Sequence, residues 1–148
     1  MAYEQVSQRF GEFAAARDLS GSALGVASGG VDGYLKFAIL VSPTGAVPAS
    51  TTLRPDWQVD VATGPTVRTM GVIQNRPEIT EGVTLYCSGM VMVRAGGVIA
   101  AGQDVMCDAT ARAVVLDTSN VANLRQGRAL EGATAADQVI TILLREQF

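Results

Sequence analysis

The stretch Val83-Thr84-Leu85-Tyr86-Cys87-Ser88-Gly89-Met90-Val91-Met92-Val93-Arg94-Ala95-Gly96-Gly97-Val98-Ile99-Ala100 (residues 83–100) decides the fold class. It is an almost continuous β-prone run without proline or helical periodicity, as extended chain requires. Gly96-Gly97 interrupts it with two residues that tolerate positive φ. The spacing therefore predicts a tight hairpin joining the strand that ends near Arg94 to Val98-Ile99-Ala100. Met90 and Met92 share one face of the first strand, and Val91 and Val93 share the other. A strand apolar on both faces reads as core.

Toward the C-terminus, Ala101-Gly102-Gln103 makes the next turn and residues 104–107 a strand. A turn at 108–110 leads into another strand at 112–116. Residues 127–131 and 138–145 bracket a small-residue turn at 132–136. Within the latter segment, Val139-Ile140-Thr141-Ile142-Leu143-Leu144 is apolar enough for a central strand.

Toward the N-terminus, the pattern predicts strands in residues 68–74, in the alternating Trp57-Gln58-Val59-Asp60-Val61, and in 34–41. Pro43, Pro48 and Pro55 keep residues 42–57 out of any central strand, because proline cannot donate to a ladder. Residues 20–30 are a run of small residues, read as loop or irregular strand. Val6, Phe10 and Phe13 follow helical spacing and predict a short helix within residues 3–16, which Gly11 weakens.

Short strands at intervals of about 8–12 residues, without helix–strand alternation, place the chain in the all-β class. The expected architecture is a compact antiparallel β-barrel or sandwich with at most one or two short helices. Residues 1–20 are expected to form an N-terminal arm. Residues 21–148 form a single β domain, with a long Pro-rich connection at 42–57.

Composition narrows the function. The net charge is −3 and no basic stripe occurs, so nucleic acid is not an expected partner. No run approaches the roughly 18 apolar residues of a membrane span. Glu4, Gln5, Gln8 and Arg9 stand where a secretion signal needs apolar residues, so synthesis in the cytoplasm is expected. The chain has no histidine, which removes the commonest general base, the Ser-His-Asp triad and His-ligated zinc. It has no Gly-x-Ser-x-Gly elbow and no phosphate loop. Cys87 and Cys107 form no CxxC motif and read as small buried apolar residues. Asp104, Asp108 and Asp117 do not match a calcium loop and read as turn and strand-end residues. No catalytic residue, cofactor or metal is expected.

The order of the segments carries a resemblance. Ala16-Arg17-Asp18-Leu19-Ser20 is similar to the opening Asp-Leu-Ser segment of the phage capsid decoration (cement) proteins. Met70-Gly71-Val72-Ile73-Gln74-Asn75-Arg76-Pro77 is similar to their Gly-Val-Leu-x-Asn-x-Pro stretch. Gly89-Met90-Val91-Met92-Val93 and Ala95-Gly96-Gly97-Val98-Ile99-Ala100-Ala101-Gly102-Gln103-Asp104-Val105 resemble their strand, hairpin and Ala-Gly-x-x-Val repeat. Gly127-Arg128-Ala129-Leu130-Glu131 and Val139–Leu144 resemble their closing strands. Residues 42–57 are longer and richer in proline than the family's connection, and Ala111-Arg112 stands where an Asn-Gly or Asp-Gly turn is expected.

The resemblance implies a structural virion protein without enzyme activity, on the outer surface of a phage head and made in the host bacterial cytoplasm. Its implied partners are the major capsid protein and itself, a homotrimer being favoured over a dimer. It would clamp neighbouring shell subunits against the pressure of packaged DNA. Arg9, Phe10, Phe13 and Arg17 in the arm, and Trp57, the single tryptophan, are residue types enriched at interfaces and are the expected partner contacts. Rival readings are another virion part, such as a head-fibre base or tail accessory, and a small β-barrel ligand-binding module. An enzyme comes last.

Overall fold

Each of two sheets is built from one contiguous half of the chain, so alternation within each half sets what that half buries. The computed structural model describes residues 14–16, 19–21, 30–41, 58–78 and 81–145. The first sheet comprises β1 (Ala14–Ala15), β2 (Phe37–Val41), β3 (Gln58–Val61), β4 (Gly71–Ile73) and β5 (Leu85–Tyr86), in the order β1-β3-β2-β4-β5. The second comprises β6 (Gly89–Arg94), β7 (Asp104–Cys107), β8 (Ala113–Val115), β9 (Gly127–Ala129) and β10 (Val139–Leu144), in the order β6-β10-β9-β7-β8. Every pairing is antiparallel except β1 with β3. The protein is an all-β sandwich, without helix among the described residues. The second sheet rolls far enough for Ala95, just past β6, to bridge Ala113 on the opposite edge strand, but it does not close into a barrel.

One core fills the space between the sheets. Phe37, Val59, Val72, Ile73 and Leu85 meet Val91, Val93, Val105, Ile140 and Ile142, all essentially inaccessible to water. Burying each such side chain contributes about 1.5–3 kcal/mol. Ala95, Ala111, Ala113 and Ala129 are also fully buried. A buried polar link ties the 62–70 connection to the second sheet. The Thr69 hydroxyl donates to Gln126 Oε1 at 2.6 Å, and Gln126 Nε2 donates to the Val67 carbonyl at 3.2 Å.

Three expectations are corrected. The predicted hairpin does not form: β6 pairs with β10 in full register, Val139 opposite Arg94 through Leu144 opposite Gly89. Ile99 instead bridges Ala133. Neither Gly96 nor Gly97 has a positive φ. At Gly96 the need for glycine is spatial, since a Cβ there would lie 2.6 Å from Asp108 Oδ2 and 2.7 Å from Val114 Cγ1. The strand expected to be buried on both faces is an edge strand with an open outer face. The helical spacing projected through residue 16 gives way at its end to strand: Ala14–Ala15 lies parallel to β3, and Ala15 N–H donates to the Glu81 carbonyl at 3.0 Å.

The central position predicted for residues 139–144 holds, with β10 lying between β6 and β9. The turn before β8 forms without Asn-Gly. Ala111 itself takes φ 65°, the left-handed conformation such a turn needs. Asp108 secures it, its Oδ1 accepting from the backbone N–H of Thr110 at 2.8 Å and of Arg112 at 2.9 Å.

Candidate partner interface

The residues singled out from sequence, Arg9, Phe10, Phe13, Arg17 and Trp57, lie outside the described residues. Their immediate neighbours do not. Ala14 pairs with Gln58 in parallel register, and Gln58 pairs with Val41 on its other side. Residue 13 precedes Ala14, residue 57 precedes Gln58, and residue 42 follows Val41. The connection points of the 1–13 and 42–57 segments therefore sit side by side at one end of the first sheet. Composition had nominated these segments separately; only the register reveals their shared origin. The last part of the proposed arm is anchored: Ala15 and Leu19 are fully buried, and Gly33 N–H donates to the Leu19 carbonyl at 3.0 Å.

A second surface was missed by sequence reasoning. Strict alternation along β6 and β10 turns Val91, Val93, Ile140 and Ile142 inward and Met90, Met92, Val139 and Leu143 outward. The outward four are 59%, 48%, 50% and 45% exposed. The register sets Met90 opposite Leu143, Met92 opposite Thr141 and Arg94 opposite Val139, which makes one continuous patch. The Met90/Met92 alternation carries the signal, but a strand apolar on both faces reads equally as core.

Charge rims this patch. Arg128 stands directly opposite Asp104 and donates to it through Nε at 2.9 Å. That hydrogen bond holds the Asp104 carboxyl below the usual carboxylate range, against a smaller opposing effect of desolvation and with help from the Arg125 and Arg128 charges. Arg125 Nε lies 3.2 Å from the same carboxylate oxygen. It is buried but off the line a hydrogen bond needs, so charge attraction alone joins them. At the other side, Arg94 reaches Asp32 at 2.9 Å, and Arg76 stacks over the Tyr34 ring at 4.8 Å.

Neither cysteine offers a nucleophile. Burial raises the Cys87 thiol pKa. Burial, reinforced by the Asp108 charge, pushes Cys107 up to about 12. Among the described residues no cluster of three or more His, Cys, Asp or Glu could hold a metal ion. What this arrangement offers chemically is an apolar sheet face framed by guanidinium groups, suited to contact with another protein.

Comparison with known proteins agrees on the class. A family model described as phage cement protein matches residues 39–145, from within β2 through the end of β10. A comparison with curated protein sequences gives no match. Among solved structures, the crystal structure of head fiber gp8.5 N base in bacteriophage phi29 is similar, with a TM-score of 0.56 and 16% identity. The likeness covers 76% of this chain and 84% of that one.

Proposed function

Because this chain belongs to the phage cement protein family, and is thus a structural component of a phage virion, we propose that it binds the outer surface of the head and clamps neighbouring major capsid subunits. The observation that carries the clamp is the adjacency of Ala14, Gln58 and Val41. A clamp needs two grips, and here segments 1–13 and 42–57 start from one end of a rigid sandwich that can itself rest on a subunit. Arg9, Phe10, Phe13 and Trp57 then act as one cluster of anchors. A chain of thirteen residues can span up to about 45 Å at full extension. No bond is made or broken. A bridging protein adds interface area and slows dissociation of the subunits it joins, so its effect lies in off-rates. A trimeric clamp would add avidity and match a local three-fold of the shell.

Copy number in gradient-purified, DNA-filled particles, measured by quantitative mass spectrometry, tests this. A count comparable to the major capsid protein is expected. A handful of copies would favour the second reading, a fibre base, which the fold shared with the phi29 head fiber base suggests. Absence from particles would sink both.

A further inference from the structure

Among the described residues, the outer face of the second sheet is the apolar surface with no partner in the fold. Met90, Met92, Val139 and Leu143 lie on two adjacent strands in matched register. At about half exposure each, they form a patch on the order of 300–400 Å², the size of a monomer's largest patch and often functional. A standard interface covers about 800 Å² per partner, so a stable contact here must also take in the charged rim.

That rim decides the partner. Arg76, Arg94, Arg125 and Arg128 carry four positive charges and the Asp32 and Asp104 carboxylates they share two negative ones, leaving +2 on this rim. The whole chain carries −3, so everything else sums to −5. A second copy docking face to face about a two-fold axis would bring together two faces of the same net sign. Carboxylates around an apolar centre complement this face, and guanidinium groups bind carboxylates in a planar fork.

We propose that this face is the surface by which the domain docks on the shell, against an apolar patch of a capsid subunit ringed by Asp or Glu. It rests on the head-binding reading above and adds which face is used and what chemistry meets it. The segments at the end of the first sheet then reach outward from a body already seated.

The test uses the full chain and purified heads that lack it. Met92→Glu with Leu143→Glu places two carboxylates in the patch; Val121→Glu, at a 98% exposed position in the 116–126 connection and outside the four-residue patch, is the control. The double variant is expected to bind heads at least tenfold more weakly, with unchanged melting temperature and unchanged oligomeric state by analytical ultracentrifugation. The control is expected to bind as the wild type does. Added salt should weaken wild-type binding, and Arg128→Gln should reduce that salt dependence.

Undiminished binding of the double variant would overturn the face while leaving head binding intact. A changed oligomeric state would assign the face to a second copy. A lowered melting temperature would assign it to another segment of the same chain. Salt-independent wild-type binding would overturn the carboxylate chemistry. Failure of the wild type to bind heads at all would remove the head-binding reading itself, and this proposal with it.

Discussion

The inner and outer faces of β6 and β10 use the same two strands and nearly the same chemistry, yet meet opposite fates. Inward, Val91, Val93, Ile140 and Ile142 are 0–2% exposed. Outward, Met90, Met92, Val139 and Leu143 are about half exposed. The difference is one of supply. The first sheet covers one side of the second, and among the described residues nothing covers the other. A strand apolar on both faces therefore signals that both are meant to be covered, without saying whether the same chain does the covering. Methionine also suits a surface that must fit a separate molecule, since its flexible thioether conforms where Val and Ile cannot.

The comparison breaks most visibly on the inner face. Ile142→Ala removes a fully buried side chain between two partner strands and is expected to cost about 2–5 kcal/mol. Urea unfolding followed by circular dichroism reads this directly. A loss under 1 kcal/mol would mean the two faces are not energetically distinct.

A smaller effect is expected at Asp108, which holds the turn that brings β8 back along β7. Burial pushes its carboxyl pKa up, but the Arg112 and Thr110 N–H groups, the Thr110 hydroxyl and the Arg112 charge outweigh this, and the net shift is downward. A depressed folded pKa means stabilisation that is fully present above the unfolded value near 4 and lost as pH falls through the folded one. Asp108→Ala should cost roughly 1–3 kcal/mol at pH 7, through the unsatisfied donors it leaves. The gap to wild type should narrow as pH drops below about 4. Melting temperatures at pH 7, 4 and 2.5 check the sign, and a gap that widens in acid would refute it.

The smallest effect sharpens the contrast. Met92→Gln on the open face should change unfolding free energy by no more than about 0.5 kcal/mol. A cost near that of Ile142→Ala would show that this face is covered within the free protein.

Much of the architecture was legible because it rests on local pattern. The strands at 104–107 and 139–144 follow from apolar runs bounded by turn residues. The candidate site was less legible. Phe10, Phe13 and Trp57 could be nominated by residue type, but their common point of departure depends on the pairing of Ala14, Gln58 and Val41. The Gly96-Gly97 hairpin misled because close packing, the need at Gly96, and positive φ both select glycine and a sequence does not distinguish them, while at Gly97 the structure shows neither need.

The sequence by itself determined the all-β class, most of the strands, the resemblance to cement proteins and the lack of histidine chemistry. These depend on residue type and on a side-chain period of two, both properties of the chain taken a few residues at a time. Only the tertiary structure decided that β6 pairs with the distant β10, that Gly96 is a packing contact, that β1 lies parallel to β3, and that the Met90/Met92 face stays open. Each of those outcomes is set by which segments distant in sequence bury the most surface together. Alternation tells which side chains share a face of a strand, and the rest of the fold chooses which face it covers.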